Sequence, residues 1–386
     1  MVSSALATAA ASSVSLRKIA AYRGIRVLAW DGDVLYGGRG YELVRWQAPS
    51  NKARRAADRQ WKPAARFDPA WWRNLTARSR LSSRLVRDGF HALAVVHGPV
   101  VPGPVVHGHV VRGSEERQNK DNATLIAAVP GAIVTRESGR DEFHVTHRLR
   151  RGTRPLHITA VPSGTVYWGE YFDNRERAEV HIYASDDRGE NWQVAHTFAA
   201  GAIRHVHNIV FDPWGDCLWI LTGDAGAECK VLRTSCDLRS IEVVLSGNQQ
   251  ARAVAAIPTP NAVYLATDTP LEANHVLRLS RSGKVETIAD LASSSIFGCR
   301  AGEAIFFSTM AEPSAVNSTS AVQIIGSADQ ENWQTLARWR KDAWPMRYFQ
   351  YGNAFLPDGN NATNLLAGTT VAVEGEDLVT TIWEIQ

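Results

Sequence analysis

Through its middle and later parts the chain alternates short apolar runs with polar breaks containing Gly, Asp or Pro. Residues 207–245 show the pattern most clearly: HNIVFD, CLWILT, CKVLRTS and IEVVLS, separated by PWG, GDAGAE and a polar loop. Runs of this length, rich in β-branched and aromatic residues and bounded by turn formers, predict strands. The next stretch repeats the plan as ARAVAAI, AVYLATD, HVLRLS and KVETIADL. LHITAV, VYWGEYF, VHIYAS and QVAHTF precede it, and SIFGC, EAIFFS, AVQIIGS and QTLARW follow. Four-strand units recurring at this scale predict the blades of a β-propeller.

First strands fall near residues 26, 91, 155, 207, 251, 295 and 348. The expected fold is therefore all-β, a single seven-bladed propeller of four-stranded antiparallel blades over residues 1–386. The last unit holds only three strands, YFQYGNAFL, NLLAGTTV and TTIWEIQ. The stretch VSLRKIA at residues 14–20 resembles an outer strand and is expected to complete that blade, closing the ring and removing its exposed edges. Residues 50–88 form a basic insertion with Trp61, Trp71 and Trp72, whose RNLTARSRLSSRLVRDG stretch reads as a helical turn or a long connector. Residues 97–123 carry a Pro/Gly-rich hairpin and the polar run SEERQNKDN, expected as an exposed loop.

Length alone would imply two or three domains, but radial repetition extends one domain without enlarging a single core. Lys and Arg number 42 against 39 Asp and Glu, so the basic pI rests on few charges and does not point to nucleic acid. Cys217, Cys229, Cys236 and Cys299 form no metal-knuckle spacing and read as reduced, buried thiols. The opening MVSSALATAAASSVS lacks a basic segment followed by an apolar one, and no apolar run is long enough to span a bilayer. The default expectation is a cytoplasmic protein without membrane contact.

In a propeller the innermost strands line a channel, and the loops entering them form one mouth, a concave end that ligands favour. The candidate residues there are His91, Arg154, His157, Arg204, His205, His207, Gln250, Arg252, Arg347 and Tyr348, with Glu170 and Tyr171 one strand further out. His91, His205, His207 and Tyr348 are the candidate proton-transfer groups. Arg154, His157, Glu170, Arg204, Gln250, Arg252 and Arg347 are the candidate ligand-binding groups. His205 and His207 alternate on one strand and project to one side, where they can share a divalent metal with His157 or Gln250. The competing reading is a set of hydrated channel residues bonded to one another or to water. A glycosidase of the ordinary kind needs two opposed carboxylates, and Glu170 has no convincing partner on the innermost strands.

Ser185-Asp186-Asp187-Arg188-Gly189-Glu190-Asn191-Trp192 matches the Asp-box pattern S-x-D-x-G-x-x-W, and residues 327–333 carry a shorter copy ending at Trp333. Both fall between the third and fourth strands of their units. The chain therefore resembles the Asp-box (BNR) propellers, which include sialidases, polysaccharide lyases and many non-enzymes. The resemblance gives the box a structural role: its Ser and Asp bond the turn and its Trp packs beneath. Sialidases carry an Arg-Ile-Pro motif that Arg23-Gly24-Ile25-Arg26 does not reproduce. The stretches RDGFHAL, TRPLHI, WGEYF and RHVHNIVFDPWGDCLWILTGD, within residues 87–240, resemble rhamnose–glucuronate lyases and related rhamnosidases. That likeness implies cleavage of a uronate- or rhamnose-containing glycan, with Arg154 and Arg204 neutralising the charge that develops on proton removal beside a carboxylate. The alternative is a non-catalytic propeller that binds a glycan or another protein.

Overall fold

A computed structural model describes residues 14–49, 60–98 and 123–386. The opening residues 1–13, the start of the basic insertion at 50–59 and the Pro/Gly-rich hairpin with its polar run at 99–122 lie outside the described residues.

The strands group into four-stranded antiparallel units that run in chain order from the innermost strand outward, except that the last takes its outermost strand from the first strand of the chain. Strand β1 (Leu16–Arg23) is followed by β2 (Arg26–Gly32), β3 (Val34–Arg39), β4 (Glu42–Gln47) and β5 (Lys62–Phe67). Strands β2 to β5 make blade one, and β6 (Ala92–Val96), β7 (Thr124–Val129), β8 (Ala132–Arg136) and β9 (Glu142–Arg148) make blade two. Blade three holds β10 (Thr159–Ala160), β11 (Val166–Gly169), β12 (Val180–Ser185) and β13 (Gln193–Phe198). Blade four holds β14 (Val206–Asp212), β15 (Cys217–Thr222), β16 (Lys230–Thr234) and β17 (Ile241–Ser246). Blade five runs from β18 (Ala253–Pro258) through β19 (Ala262–Thr267) and β20 (Asn274–Ser280) to β21 (Val285–Leu291). Blade six runs from β22 (Ser295–Ala301) through β23 (Ala304–Thr309) and β24 (Ala321–Ser327) to β25 (Gln334–Arg340). The last unit is β26 (Asn353–Phe355), β28 (Leu365–Val371), β29 (Val379–Ile385) and, outermost, β1. Leu16 pairs with Ile385 and Arg23 with Val379, so the two chain ends share one sheet.

Burial explains why these runs read so clearly. The second strands, such as β15 (CLWILT), β19 (AVYLAT) and β23 (AIFFST), are buried along their whole length. Each is covered on both faces by neighbouring blades, so it shows an apolar run rather than alternation. The outer strands β13 and β17 are largely exposed or half-buried. Among the described residues seven apolar clusters result, one in each interface between consecutive blades, including the one between the last unit and blade one.

Beyond the parallel pairing of the outer strands β5 and β9, which joins blades one and two into one sheet, two features among the described residues fall outside the repeat. Strand β27 (Asp358–Asn361) pairs in parallel with β2 along the channel. Gly359, with φ +85°, allows it, because a Cβ there would collide with the Trp30 carbonyl oxygen. The second feature is a helical hairpin, α1 (Trp71–Arg78) and α2 (Arg80–Val86), between blades one and two. The innermost strands β2, β14, β18 and β22 each carry a bulge near the start, which re-aims side chains at one end of the channel.

The two Asp-box turns are built alike. The Ser185 hydroxyl bonds Asp187 Oδ1 at 2.8 Å, and that oxygen accepts the amides of Glu190 and Asn191. Ser327 and Asp329 repeat the arrangement with the amides of Glu331 and Asn332. Gly189 sits at φ +87° against Ile126, where a Cβ would be 2.7 Å from that side chain. Trp192 packs against Trp168 at 6.1 Å and donates to Thr146, placing the first box against blade two.

All four cysteines are free, and burial pushes the Cys217 thiol up to about 11. Among the described residues no helix is long and apolar enough to cross a membrane.

Candidate functional site

The loops that enter the innermost strands open at the same end as those joining second to third strands, because consecutive strands run antiparallel. Charged side chains from both loop sets gather there in two groups.

The first group comes from blades one to three. The Arg26 guanidinium donates to His91 Nδ1 at 2.9 Å and lies 3.9 Å over the Phe355 ring. His91 Nε2 lies 2.6 Å from the Arg87 carbonyl oxygen, which can only accept. His91 is therefore a neutral Nε2–H tautomer with both nitrogens engaged. Burial and the charges of Arg154 and Arg26 hold it well below the usual imidazole range. Burial, reinforced by Arg154 and opposed by Asp358, lowers Arg26 to about 9. Burial and the Arg87 charge lower Arg154 to about 10. Among the described residues no carboxylate lies within ion-pair distance of Arg26 or Arg154. Arg26 and His91 line a cavity of about 1040 Å³ walled on one side by the helical hairpin.

The second group comes from blades three to six, and its charges are paired. Arg204 reaches Asp173 at 2.6 Å and Asp224 at 2.8 Å. Arg252 lies 3.3 Å from Asp224 and 3.2 Å from Asp268. His205 Nδ1 is 3.0 Å from the Phe172 carbonyl oxygen, and His207 Nδ1 is 3.0 Å from that of Ala253. The two Nε2 atoms face each other at 3.0 Å, with Asp224 Oδ1 at 3.5 and 3.4 Å. Tyr171 lies against His205 with ring centroids 4.2 Å apart. Burial, partly offset by Arg252 and reinforced by Glu312 and Asp224, pushes the Asp268 carboxyl up to about 7.

The remaining candidates are dispersed. His157 bonds Asp358 at 2.9 Å and lines a second cavity, of about 830 Å³, at the far ends of the innermost strands. Strand β10 has only two residues, so His157 precedes the strand expected to carry it. Glu170 is buried, bonded by both Arg151 and the His181 amide, and so is committed to the fold. Gln250 turns to Glu272 and the Ala273 carbonyl, away from the His pair. Arg347 and Tyr348 are corrected most: the innermost strand begins at Asn353, and Tyr348 is 60% exposed on a turn closed by bonds to Pro345. The aromatic run YFQY has strand propensity, but a turn begun by Pro345 takes it out of the ladder.

Asp224, Asp268, Glu312 and Arg26 belong to the mouth but were not singled out from the sequence. Asp224, Asp268 and Glu312 lie in or beside loops joining second to third strands, including the GDAGAE turn. The usable signal was topological, since those loops share an end with the entry loops.

No family model matches the sequence, and no curated protein matches it. The fold resembles several solved propellers. A chain of the structure titled "Crystal Structure of Mitotic Checkpoint Complex" aligns at TM-score 0.55 and 10% identity, over 100% of this chain and 99% of that one. The Cps50 (Swd1) β-propeller domain of Myceliophteria thermophila aligns at 0.55 and 11%, over 96% and 100%. Puromycin hydrolase, solved as an S511A mutant with PGG, aligns at 0.53 and 14%, over 91% of this chain and 50% of that one. At these identities the likeness establishes a β-propeller and nothing about the site.

Proposed function

We propose that this propeller is a non-catalytic binding scaffold that takes a protein partner on the outward face of its helical hairpin. The observation that carries this reading is an inverted amphipathic pattern. A surface helix ordinarily turns its apolar stripe inward. Here Trp71, Leu75, Leu81 and Leu85 are 76%, 57%, 56% and 54% exposed, while Ala77 packs on the core between blades one and two and the other tethers are polar. Arg73 and Thr76 bond Asp88, and buried Arg84 pairs with Asp342. An apolar patch held outward in this way fits a docking surface. Residues 62–88 contain seven basic and two acidic residues, so the complementary partner segment is apolar with flanking Asp or Glu. Propellers of similar fold belong to protein assemblies, including the mitotic checkpoint complex.

Peptide display on the full chain tests this. Enrichment of acidic–apolar peptides, with affinity lost in the Trp71→Ser/Leu75→Ser/Leu85→Ser protein, supports the reading. Equal affinity in that variant, or binding of anionic vesicles in place of any peptide, overturns it.

A second reading, an acidic-glycan site, is favoured by the guanidinium groups of Arg26 and Arg154, which have no carboxylate partner at the mouth. A uronate carboxylate would supply that partner. The motif likeness to rhamnose–glucuronate lyases points to the same substrate class. Uronate-containing oligosaccharides should then bind, and any elimination should appear as absorbance of an unsaturated product that Arg154→Ala removes. Absence of both binding and product rejects this second reading.

A further inference from the structure

We propose that His205, His207 and Asp224 form a binding site for a divalent transition-metal ion of the zinc class. The inference starts from tautomers. Each Nδ1 faces a backbone carbonyl oxygen at 3.0 Å, and a carbonyl only accepts, so each Nδ1 carries its hydrogen. In the neutral rings both Nε2 atoms then present lone pairs to each other across 3.0 Å, with Asp224 Oδ1 at 3.5 and 3.4 Å. Three electron-pair donors converge on a space that contains no donor hydrogen from any of them. A cation resolves that conflict.

The dimensions fit. A point equidistant from three atoms at those separations lies about 1.9 Å from each, and zinc sits about 2.0–2.2 Å from imidazole nitrogen and carboxylate oxygen. An ion at those lengths rests just off the ligand plane, as three corners of a tetrahedron require, and leaves its fourth position open. Two imidazoles and one carboxylate suit zinc, cobalt or nickel better than calcium or magnesium. The surrounding contacts are those of a supported site. The Phe172 and Ala253 carbonyls fix both rings, and Arg204 and Arg252 hold the Asp224 carboxylate. Asp173 and Asp268 in turn pair with those arginines, so the local charge does not exclude a cation.

The ligands come from blade four, but their supports come from blades three and five, so the ion would tie three blades together. His205 immediately precedes β14, and the bulge between Val206 and Asn208 leaves His207 without a cross-strand partner and free to turn towards His205. Asp224 completes the set from the β15–β16 loop. A second group, Glu137, His144 and Glu190, also brings ligand atoms together, but on an exposed surface. It serves as the internal control.

The test uses Co2+ as the probe, on full-length protein stripped with a chelator and checked by circular dichroism. The expected result is one Co2+ per chain with the visible ligand-field absorption of low-coordinate cobalt, displaced by Zn2+ and unchanged in His144→Gln. Asp224→Asn, which preserves shape but removes the ligand's charge, should weaken binding by more than the about 10–100-fold that loss of an outer-shell partner costs, and His205→Gln/His207→Gln should abolish it. Should the double variant not fold, nitrogen NMR of the wild-type imidazoles reads the same point, through shifts of both Nε2 signals on Zn2+ addition. Folded wild-type protein that takes up no Co2+ overturns the proposal. So does uptake lost in His144→Gln, or a shared Nε2–H–Nε2 proton that Zn2+ does not displace.

Discussion

The two halves of the channel mouth use the same residue types to opposite ends. On blades three to six, Arg204 and Arg252 are matched by Asp173, Asp224 and Asp268 at 2.6 to 3.3 Å. On blades one to three, Arg26 and Arg154 have no such match and repel each other. Burying a charge without a partner is costly, so such a group persists where something outside the fold rewards it. The paired half therefore reads as built for the protein itself and for a small cation. The unpaired half, with the hairpin beside it, reads as built for a partner.

The largest expected effect breaks the link between hairpin and propeller. Arg84 is buried between Asp342 and Asp377 and stacks on Trp344, and Arg84→Ala removes the guanidinium that the two carboxylates share, leaving Asp342 to Lys341 and Asp377 to Arg80. The loss should be about 3–5 kcal/mol, seen as a lower Tm and new protease cleavage within residues 71–86. An unchanged Tm and digest would detach the hairpin from this argument.

The paired half has a pH signature. The Asp268 carboxyl titrates near 7 when folded and in the ordinary carboxylate range when unfolded. Between those values the folded state holds the extra proton, so stability is present at low pH and is lost as pH rises towards 7. Asp268→Asn should remove a fall on the order of 4 kcal/mol across that window, read as the difference between wild-type and variant Tm profiles. Parallel profiles would show that Arg252 keeps Asp268 ionised throughout.

The unpaired half predicts the reverse sign. Arg154→Gln should raise stability by about 1 kcal/mol, because it removes a desolvated charge that the fold does not neutralise. A clear destabilisation, measured by urea unfolding, would mean that Arg154 has a structural partner.

How much of this was legible in the sequence follows the same division. The blades were legible because strands such as CLWILT and AVYLAT are buried on both faces and bounded by Gly, Asp and Pro. The His205/His207 pair is legible from its i, i+2 spacing, although His205 precedes β14 and the bulge at His207 is what turns the two rings together. Asp224 was not, because a carboxylate in a Gly-rich turn resembles any solvated loop. The hairpin reads as either a helical turn or a connector because its pattern is inverted: the charges hold it down and the apolar side chains face solvent. Tyr348 was misplaced because local strand propensity is weaker than the pairing of Asn353–Phe355 with Thr369–Val371.

The smallest effect belongs to the face assigned the largest functional role. Trp71→Ser and Leu75→Ser should each change stability by no more than about 0.5 kcal/mol, because those side chains touch little of the fold. A loss of several kcal/mol by chemical unfolding would return them to the core and remove the docking surface.

The most direct measurement is oxidative footprinting of the full chain, free and bound to a display-selected acidic–apolar peptide. Docking on the hairpin should protect Trp71, Trp72, Leu81 and Leu85 and leave His205 and His207 unchanged. Protection confined to the channel mouth, with the hairpin labelled as in the free protein, would contradict it.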